Sequence, residues 1–239
     1  MANEYTRRWF TAFMDTVPPE WTGNEVAGVA ERLPLPDFGR VLDACCGPGR
    51  HAAALATLGY TVTGIDRDAE VLDQARQAAP GARFLELDQR DLDRLRPERP
   101  FDAAVVLWQS FGYFDPATND RVLANVARLL RPGGRLLLDL FHPGWFVAHA
   151  GRTTTTRSPD VAAITNTLHG DRLTSTIDYT DGTGEAMDFE LFTPEALVAR
   201  AAPHGFRLRE ACCWWDASRP PDPTEQRYQV VLECVRPRT

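Results

Sequence analysis

The chain has no lysine: all 26 of its basic side chains are arginine. That excludes chemistry built on a lysine amine. No Schiff base can form with a carbonyl substrate or pyridoxal phosphate, and no P-loop lysine can anchor a nucleotide. Long apolar runs are also missing; the longest, such as residues 103–108, is far too short to span a bilayer. Arg7 and Arg8 lead into no apolar h-region, so no export signal and no membrane partner are expected. None of the five cysteines has C-x-x-C spacing, and their odd number suits reduced thiols in the cytoplasm. No basic run occurs and the net charge is −7, which speaks against a nucleic-acid partner. No His/Asp cluster has ligand spacing, so no metal is expected.

The 239 residues, 44% of them hydrophobic, suit one globular domain with room for an insertion. No internal repeat or low-complexity linker appears. Residues 5–13 are aromatic-rich, and 24–33 read as a helix ended by Pro34 and Pro36. Strands are expected at 40–44, 60–65, 82–87, 101–107 and 135–140, alternating with helices at 51–58, 69–79 and 118–130. On the last helix Val122, Leu123, Val126, Leu129 and Leu130 share one face. Such alternation argues for a doubly wound parallel sheet covered on both faces. After it, residues 173–179 and 185–192 read as a hairpin around Asp181-Gly182-Thr183-Gly184. Thr193-Pro194-Glu195 starts a helix that Gly205 ends, and 206–214 and 228–235 read as two final strands.

The chemistry concentrates at Val41-Leu42-Asp43-Ala44-Cys45-Cys46-Gly47-Pro48-Gly49-Arg50-His51. A short apolar strand ends in an acid, then a glycine turn opens a helix. Gly47, Gly49 and Ala52 satisfy G-x-G-x-x-[G/A], which alone would equally suit a nicotinamide or flavin enzyme. Gly47 is read as supplying the turn's backbone conformation, and Gly49 as letting a ligand approach the backbone. Asp43 stands four residues before Gly47, where it would hold an ammonium group and repel a pyrophosphate, so the ligand is expected to be cationic. Asp66 closes the second strand and could accept both ribose hydroxyls of an adenosine, or cap the next helix, a task Asp68 could take instead. Asp88-Gln89 ends the third strand and could read an adenine.

This order, together with Phe101-Asp102-Ala103-Ala104-Val105 and Leu130-Arg131-Pro132-Gly133-Gly134-Arg135-Leu136, resembles class I S-adenosylmethionine-dependent methyltransferases of the small-molecule type. The resemblance covers about residues 40–140. It implies a Rossmann-like sheet of seven strands, mostly parallel, the last antiparallel and inserted beside the sixth, with the hairpin as an insertion after the fifth. It implies S-adenosylmethionine as cofactor and S-adenosylhomocysteine as product. Asp43 and Gly47 would face the methionine moiety, Asp66 the ribose and Asp88 the adenine. Tyr5, Trp9, Ala44, Gly49, Arg67, Gln89 and Leu107 complete the expected cofactor set. Cys45 and Cys46 replace the commoner small residues of that turn.

Four parts are expected: an N-terminal helical lid over 1–36, a cofactor-binding core over 37–150, an insertion over 151–192 that shapes the acceptor pocket, and a closing helix and hairpin over 193–239. The lid rests on the stripe Tyr5, Trp9, Phe10 and Phe13. His142, after the fifth strand, is the first candidate for a general base, with Tyr113 in the S-F-G-Y-F stretch as second catalytic candidate. His51 is read as structural or cofactor-side. Trp145, Phe146, Trp214 and Trp215 suggest an apolar or aromatic acceptor. The reading is methyl transfer to oxygen or nitrogen of a small molecule in specialised metabolism, with a homodimer as the candidate assembly. The same motifs would serve a protein that binds S-adenosylmethionine without transferring its methyl. A nicotinamide oxidoreductase and an RNA or protein methyltransferase are weaker alternatives.

Overall fold

Val41 and Leu42 are adjacent in sequence and fully buried, yet they belong to different cores. A strand sends successive side chains to opposite faces, so both faces of this sheet are covered. The computed structural model describes residues 6–154 and 158–235. Strands β1 (Arg40–Ala44), β2 (Thr61–Asp66), β3 (Arg83–Glu86), β4 (Phe101–Val106) and β5 (Leu130–Phe141) are mutually parallel where they pair. Helices α1 (Pro19–Arg32), α2 (Arg50–Thr57), α3 (Ala69–Ala78) and α4 (Pro116–Leu129) pack on the two faces.

After β5 and the short helix α5 (Pro143–Ala148), a second sheet forms from β6 (Gly151–Thr153), β7 (Val161–His169), β8 (Arg172–Tyr179) and β9 (Gly184–Glu190), antiparallel throughout. Helix α6 (Pro194–Ala201) follows, capped by Thr193 and stopped by left-handed Gly205 (φ 86°) through one 3₁₀ turn. Strands β10 (Phe206–Cys212) and β11 (Arg227–Cys234) complete the main sheet, whose order is β10-β11-β5-β4-β1-β2-β3. Strand β11 lies antiparallel between β5 and β10, which is the expected seven-stranded arrangement.

The structure extends one expectation and changes two. The expected hairpin forms as β8 and β9, and β6 and β7 extend it to a four-stranded sheet; β7 carries Ala, Thr and Asn among its apolar residues and so shows no clean alternation. Strand β5 begins at Leu130 and runs through Pro132-Gly133-Gly134, with a register shift opposite β4. The lid does not extend over 1–36. Helix α1 belongs to the main body: Val26, Val29 and Leu33 are buried with Ala52, Leu55 and Tyr60, and the Tyr60 hydroxyl donates to the Leu33 carbonyl at 2.6 Å.

The segment over residues 6–14 crosses to the second sheet. Ala12 is buried with Leu173, Ile177 and Phe189. Arg8 donates to Asp181 at 2.6 Å and lies 4.0 Å over the Tyr179 ring, while Thr6 bonds Glu185. Register pairs Asp43 with Gly64 and Val105, and Asp66 with Glu86, so the carboxyl ends of the parallel strands open on one rim. Ligands bind at that rim in open α/β sheets.

Candidate active site

The turn between β1 and α2 is strained. Cys45, Gly47 and Gly49 all have positive φ (64°, 53° and 80°). The Gly47 N–H donates to Asp66 Oδ2 at 3.0 Å and the Cys46 N–H to the Ile65 carbonyl at 2.9 Å, which ties the turn to β2. Gly47 faces a cavity of about 140 Å³, and the nearest atom to a Cβ built there is a Phe10 ring carbon at 3.8 Å. Gly49 is a correction: it does not line the cavity. A Cβ at Gly49 would come within 2.8 Å of Ala75 Cβ and 3.5 Å of Phe84, so glycine there serves close packing of α3 and β3 on the turn. Ala44 is likewise core, buried with Leu42 and Ile65 rather than facing the cavity.

Asp43, Asp66 and Asp88, from three successive strand ends, line this one cavity. Asp43 is 2% exposed, and its Oδ2 has no hydrogen-bond partner. Burial pushes its carboxyl up to about 7, against the pull of Arg50 and with the Asp66 charge adding to the rise. Asp66 is also raised by burial, although the N–H groups of Asp68 and Gly47 oppose the rise. The capping question is settled by geometry: Asp68 accepts from the Glu70 and Val71 N–H groups, which leaves Asp66 directed at the turn. Asp88 accepts from Arg90 through its backbone N–H, Nε and Nη2 at 2.8–3.0 Å. Burial alone would raise Asp88, but these Arg90 contacts hold it below the usual range. Gln89 donates to the Ser110 carbonyl at 3.0 Å, and its buried Oε1 has no partner. Trp9, Arg67 and Leu107 also line the cavity, as do Phe10 and Met14; Tyr5 lies outside the described residues.

A second constellation at the cavity carries no motif. Arg50 and His51 line it from the first turn of α2, and Trp108 from the segment after β4. All three converge on Glu25 of α1, at 2.7, 2.8 and 2.5 Å. One Arg50 guanidinium nitrogen, Nη2, is buried without a partner. Trp108 and Gln109 are consecutive non-glycine residues with φ of 57° and 56°. Buried Asp139 at the end of β5 holds this turn. Its carboxylate accepts from the Trp108 N–H at 3.2 Å, its carbonyl from the Gln109 N–H at 2.9 Å, and it also pairs with Arg227. The one local signal was the adjacency of Arg50 and His51 to the glycine turn. Among the described residues no group of three or more His, Cys, Asp or Glu is placed to hold a metal.

Residues 41–134 match the family model for a methyltransferase domain. Over 111 residues the chain is 37% identical to the putative methyltransferase YqeM of Bacillus subtilis (strain 168), a stretch spanning 44% of either protein. Residues 41–134 of the chain are thus similar to a methyltransferase domain. The cofactor of that family is S-adenosylmethionine. The CcbJ methyltransferase from Streptomyces caelestis superposes with a TM-score of 0.76 at 19% identity, over 92% of this chain and 91% of its own. S-adenosylmethionine-bound CalS10, an amino pentose methyltransferase from Micromonospora echinaspora, gives 0.70 at 24% identity over 98% and 99%. These two carry the fold across nearly the whole chain. By contrast the chain spans about two fifths of the length of the curated relatives it matches.

The two catalytic candidates, His142 and Tyr113, separate in space. His142 does not line the cavity. Its Nδ1 accepts from the Gly144 N–H at 3.0 Å, capping α5, and its ring packs on Tyr228 at 5.5 Å. Pro143 opens that helix, and the residue before it is placed to supply the cap. Burial lowers the His142 pKa, consistent with an imidazole that accepts at Nδ1. His142→Ala should therefore lower stability by about 1 kcal/mol in thermal melts and leave S-adenosylhomocysteine affinity unchanged; a tenfold loss of affinity would return His142 to the site. Tyr113 does line the cavity, with its ring 4.9 Å from that of Phe189. Burial pushes its phenol far above the ordinary tyrosine value, so it can donate a hydrogen bond but is not a base at neutral pH.

Proposed function

We propose that the chain transfers a methyl group from S-adenosylmethionine to oxygen or nitrogen of a small-molecule acceptor. The observation that carries this is the set of buried polar atoms left without partners around one cavity: Asp43 Oδ2, Arg50 Nη2 and Gln89 Oε1. Buried groups of this kind are normally paired, so they await a ligand. A bare carboxylate and a bare guanidinium nitrogen together fit a zwitterion, the amino-acid end of the cofactor. A bare amide oxygen fits an amino donor on the adenine. Asp66 would take the ribose hydroxyls, with Asp88 beside the adenine.

When bound, this cofactor supplies a methyl already activated on a sulfonium. What remains for the protein is placement, which can lower a barrier by roughly 7–11 kcal/mol. Trp9, Phe10 and Met14 line the cavity and form an apolar wall that would shield a bound ligand from water, and the Arg8, Thr6 and Ala12 contacts hold that wall against the second sheet. Tyr113, Phe114 and Trp108 give the remaining wall an aromatic character that favours an apolar or aromatic acceptor. The likeness of fold to CalS10, an amino pentose methyltransferase, also supports a small acceptor. A role in specialised metabolism fits that likeness. All five cysteines are free, which suits the cytoplasm. No helix among the described residues is long and apolar enough to cross a membrane.

Incubation with methyl-labelled cofactor and a metabolite panel, read by mass spectrometry, tests transfer. A product heavier by one CH₂ supports it. Tight S-adenosylhomocysteine binding with no product across the panel would turn the reading toward a protein that binds the cofactor without spending its methyl. Asp66→Ala should weaken S-adenosylhomocysteine binding by roughly 1–3 kcal/mol in calorimetry, since two hydrogen bonds to a charged group are lost. Unchanged affinity would place the ribose elsewhere.

A further inference from the structure

Glu25 stands outside the cofactor turn, on a helix that the motif does not include. Its carboxylate accepts three hydrogen bonds, and each comes from a residue that lines the cavity. Oε2 takes Arg50 Nη1 at 2.7 Å and His51 Nε2 at 2.8 Å, while Oε1 takes the Trp108 indole N–H at 2.5 Å. Glu25 is not itself among the lining residues, and its side chain is 14% exposed. Arg50 Nη1 is held a second time by Thr22 Oγ1 at 2.7 Å, also from α1. The guanidinium plane is further fixed 4.5 Å from the Trp108 ring. With Nη1 taken up on the helix side, Nη2 is the buried donor left over.

We propose that Glu25 is a positioning residue for the amino-acid end of the cofactor, acting through Arg50 and Trp108. This inference rests on the S-adenosylmethionine reading and adds a residue to it that the motif does not contain. The physical reason is the rotamer freedom of arginine. A free guanidinium samples many rotamers, and fixing it on a ligand costs entropy at the moment of binding. A mostly buried carboxylate that pins Nη1 has already fixed it in the folded protein. The same carboxylate orients the Trp108 wall and holds the proton of His51 on Nε2. Burial opposes the charge on Glu25, but the His51 and Arg50 hydrogen bonds outweigh it and hold its carboxyl down to about 2. Glu25 is therefore charged throughout the range in which an enzyme would be assayed.

Two commercial probes separate the parts of the ligand. S-adenosylhomocysteine carries the amino-acid end; 5′-methylthioadenosine has the same adenosyl thioether without it. Calorimetry with both, on wild type and Glu25→Gln, gives a ratio of affinities from which general loss of folded protein cancels. Glu25→Gln should weaken S-adenosylhomocysteine by about tenfold or more while 5′-methylthioadenosine changes by less than about twofold. Glu25→Asp, with the charge kept but set back, should fall between, and it decides by the same ratio if Glu25→Gln does not fold. Equal weakening of both probes would make Glu25 a scaffold residue and overturn the proposal. No weakening of either would show that Arg50 is placed without it, with the same consequence. If wild type binds neither probe, the cofactor reading fails and this proposal fails with it, an outcome distinct from the other two.

Discussion

Between about pH 5 and about pH 7, S-adenosylhomocysteine should bind roughly tenfold more tightly per pH unit, and above about pH 8 its affinity should level off. The cause is Asp43. Its Oδ2 is buried and bare, and burial brings its carboxyl up to about 7, so in the free protein it is largely protonated in mild acid. An ammonium group needs the carboxylate. Below about 7, binding must first remove a proton, and that cost grows with every unit of acidity. The same shift sets stability in the opposite sense. The folded value is raised above the ordinary 3.8, so the folded state binds the proton more tightly than the unfolded chain. No penalty exists below 3.8; it accumulates as pH rises through the folded value, to an upper bound of about 4 kcal/mol. Asp43→Asn should therefore raise the melting temperature at about pH 8, flatten the pH dependence of binding, and weaken the ligand by about two orders of magnitude. Melting curves and calorimetry on the two proteins check all three. A pH dependence that survives the substitution would assign the ammonium site to another acid.

Asp139→Ala should be the most destabilising single change near the site, by about 3–5 kcal/mol. Asp139 is 2% exposed and serves four donors: Arg227 Nε at 3.1 Å and its Nη2, Gln229 Nε2 at 3.0 Å, and the Trp108 N–H at 3.2 Å. Its removal leaves the Arg227 guanidinium, 22% exposed, without that anion. It also frees a turn in which two non-glycine residues are held left-handed, each at about 1–3 kcal/mol of strain. Relaxation of that turn moves Trp108, so affinity for S-adenosylhomocysteine should fall with stability. Asp139→Asn keeps an acceptor for the Trp108 N–H but loses the charge facing Arg227, and should lie between. Denaturant midpoints measure the first effect and calorimetry the second. Wild-type stability in Asp139→Ala would show that the turn is held from elsewhere.

Much of this site could be read in the chain before any coordinates. The alternation of apolar strands and amphipathic helices fixed the parallel sheet, because a two-residue period and a 3.6-residue period bury different faces. Asp43, Asp66 and Asp88 sit just at or after strand ends, and parallel register brings strand ends to one rim whatever lies between them. Gly47 belonged to the same local logic. The same local logic misplaced Gly49, whose need for glycine comes from Ala75 on another helix, and His142, which position alone put at the rim and which instead caps its own helix.

The sequence by itself determined the main strands and helices of the parallel sheet, their order and which acids reach its rim, since all of these follow from side-chain periodicity and from turns a few residues long. Tertiary structure alone decided which groups there are already paired and which are bare. Glu25 meets Arg50, His51 and Trp108 across 25, 26 and 83 positions, and Asp139 meets Arg227 across 88. Charges and hydrogen bonds act over a few ångströms of space, and no spacing along the chain encodes that distance.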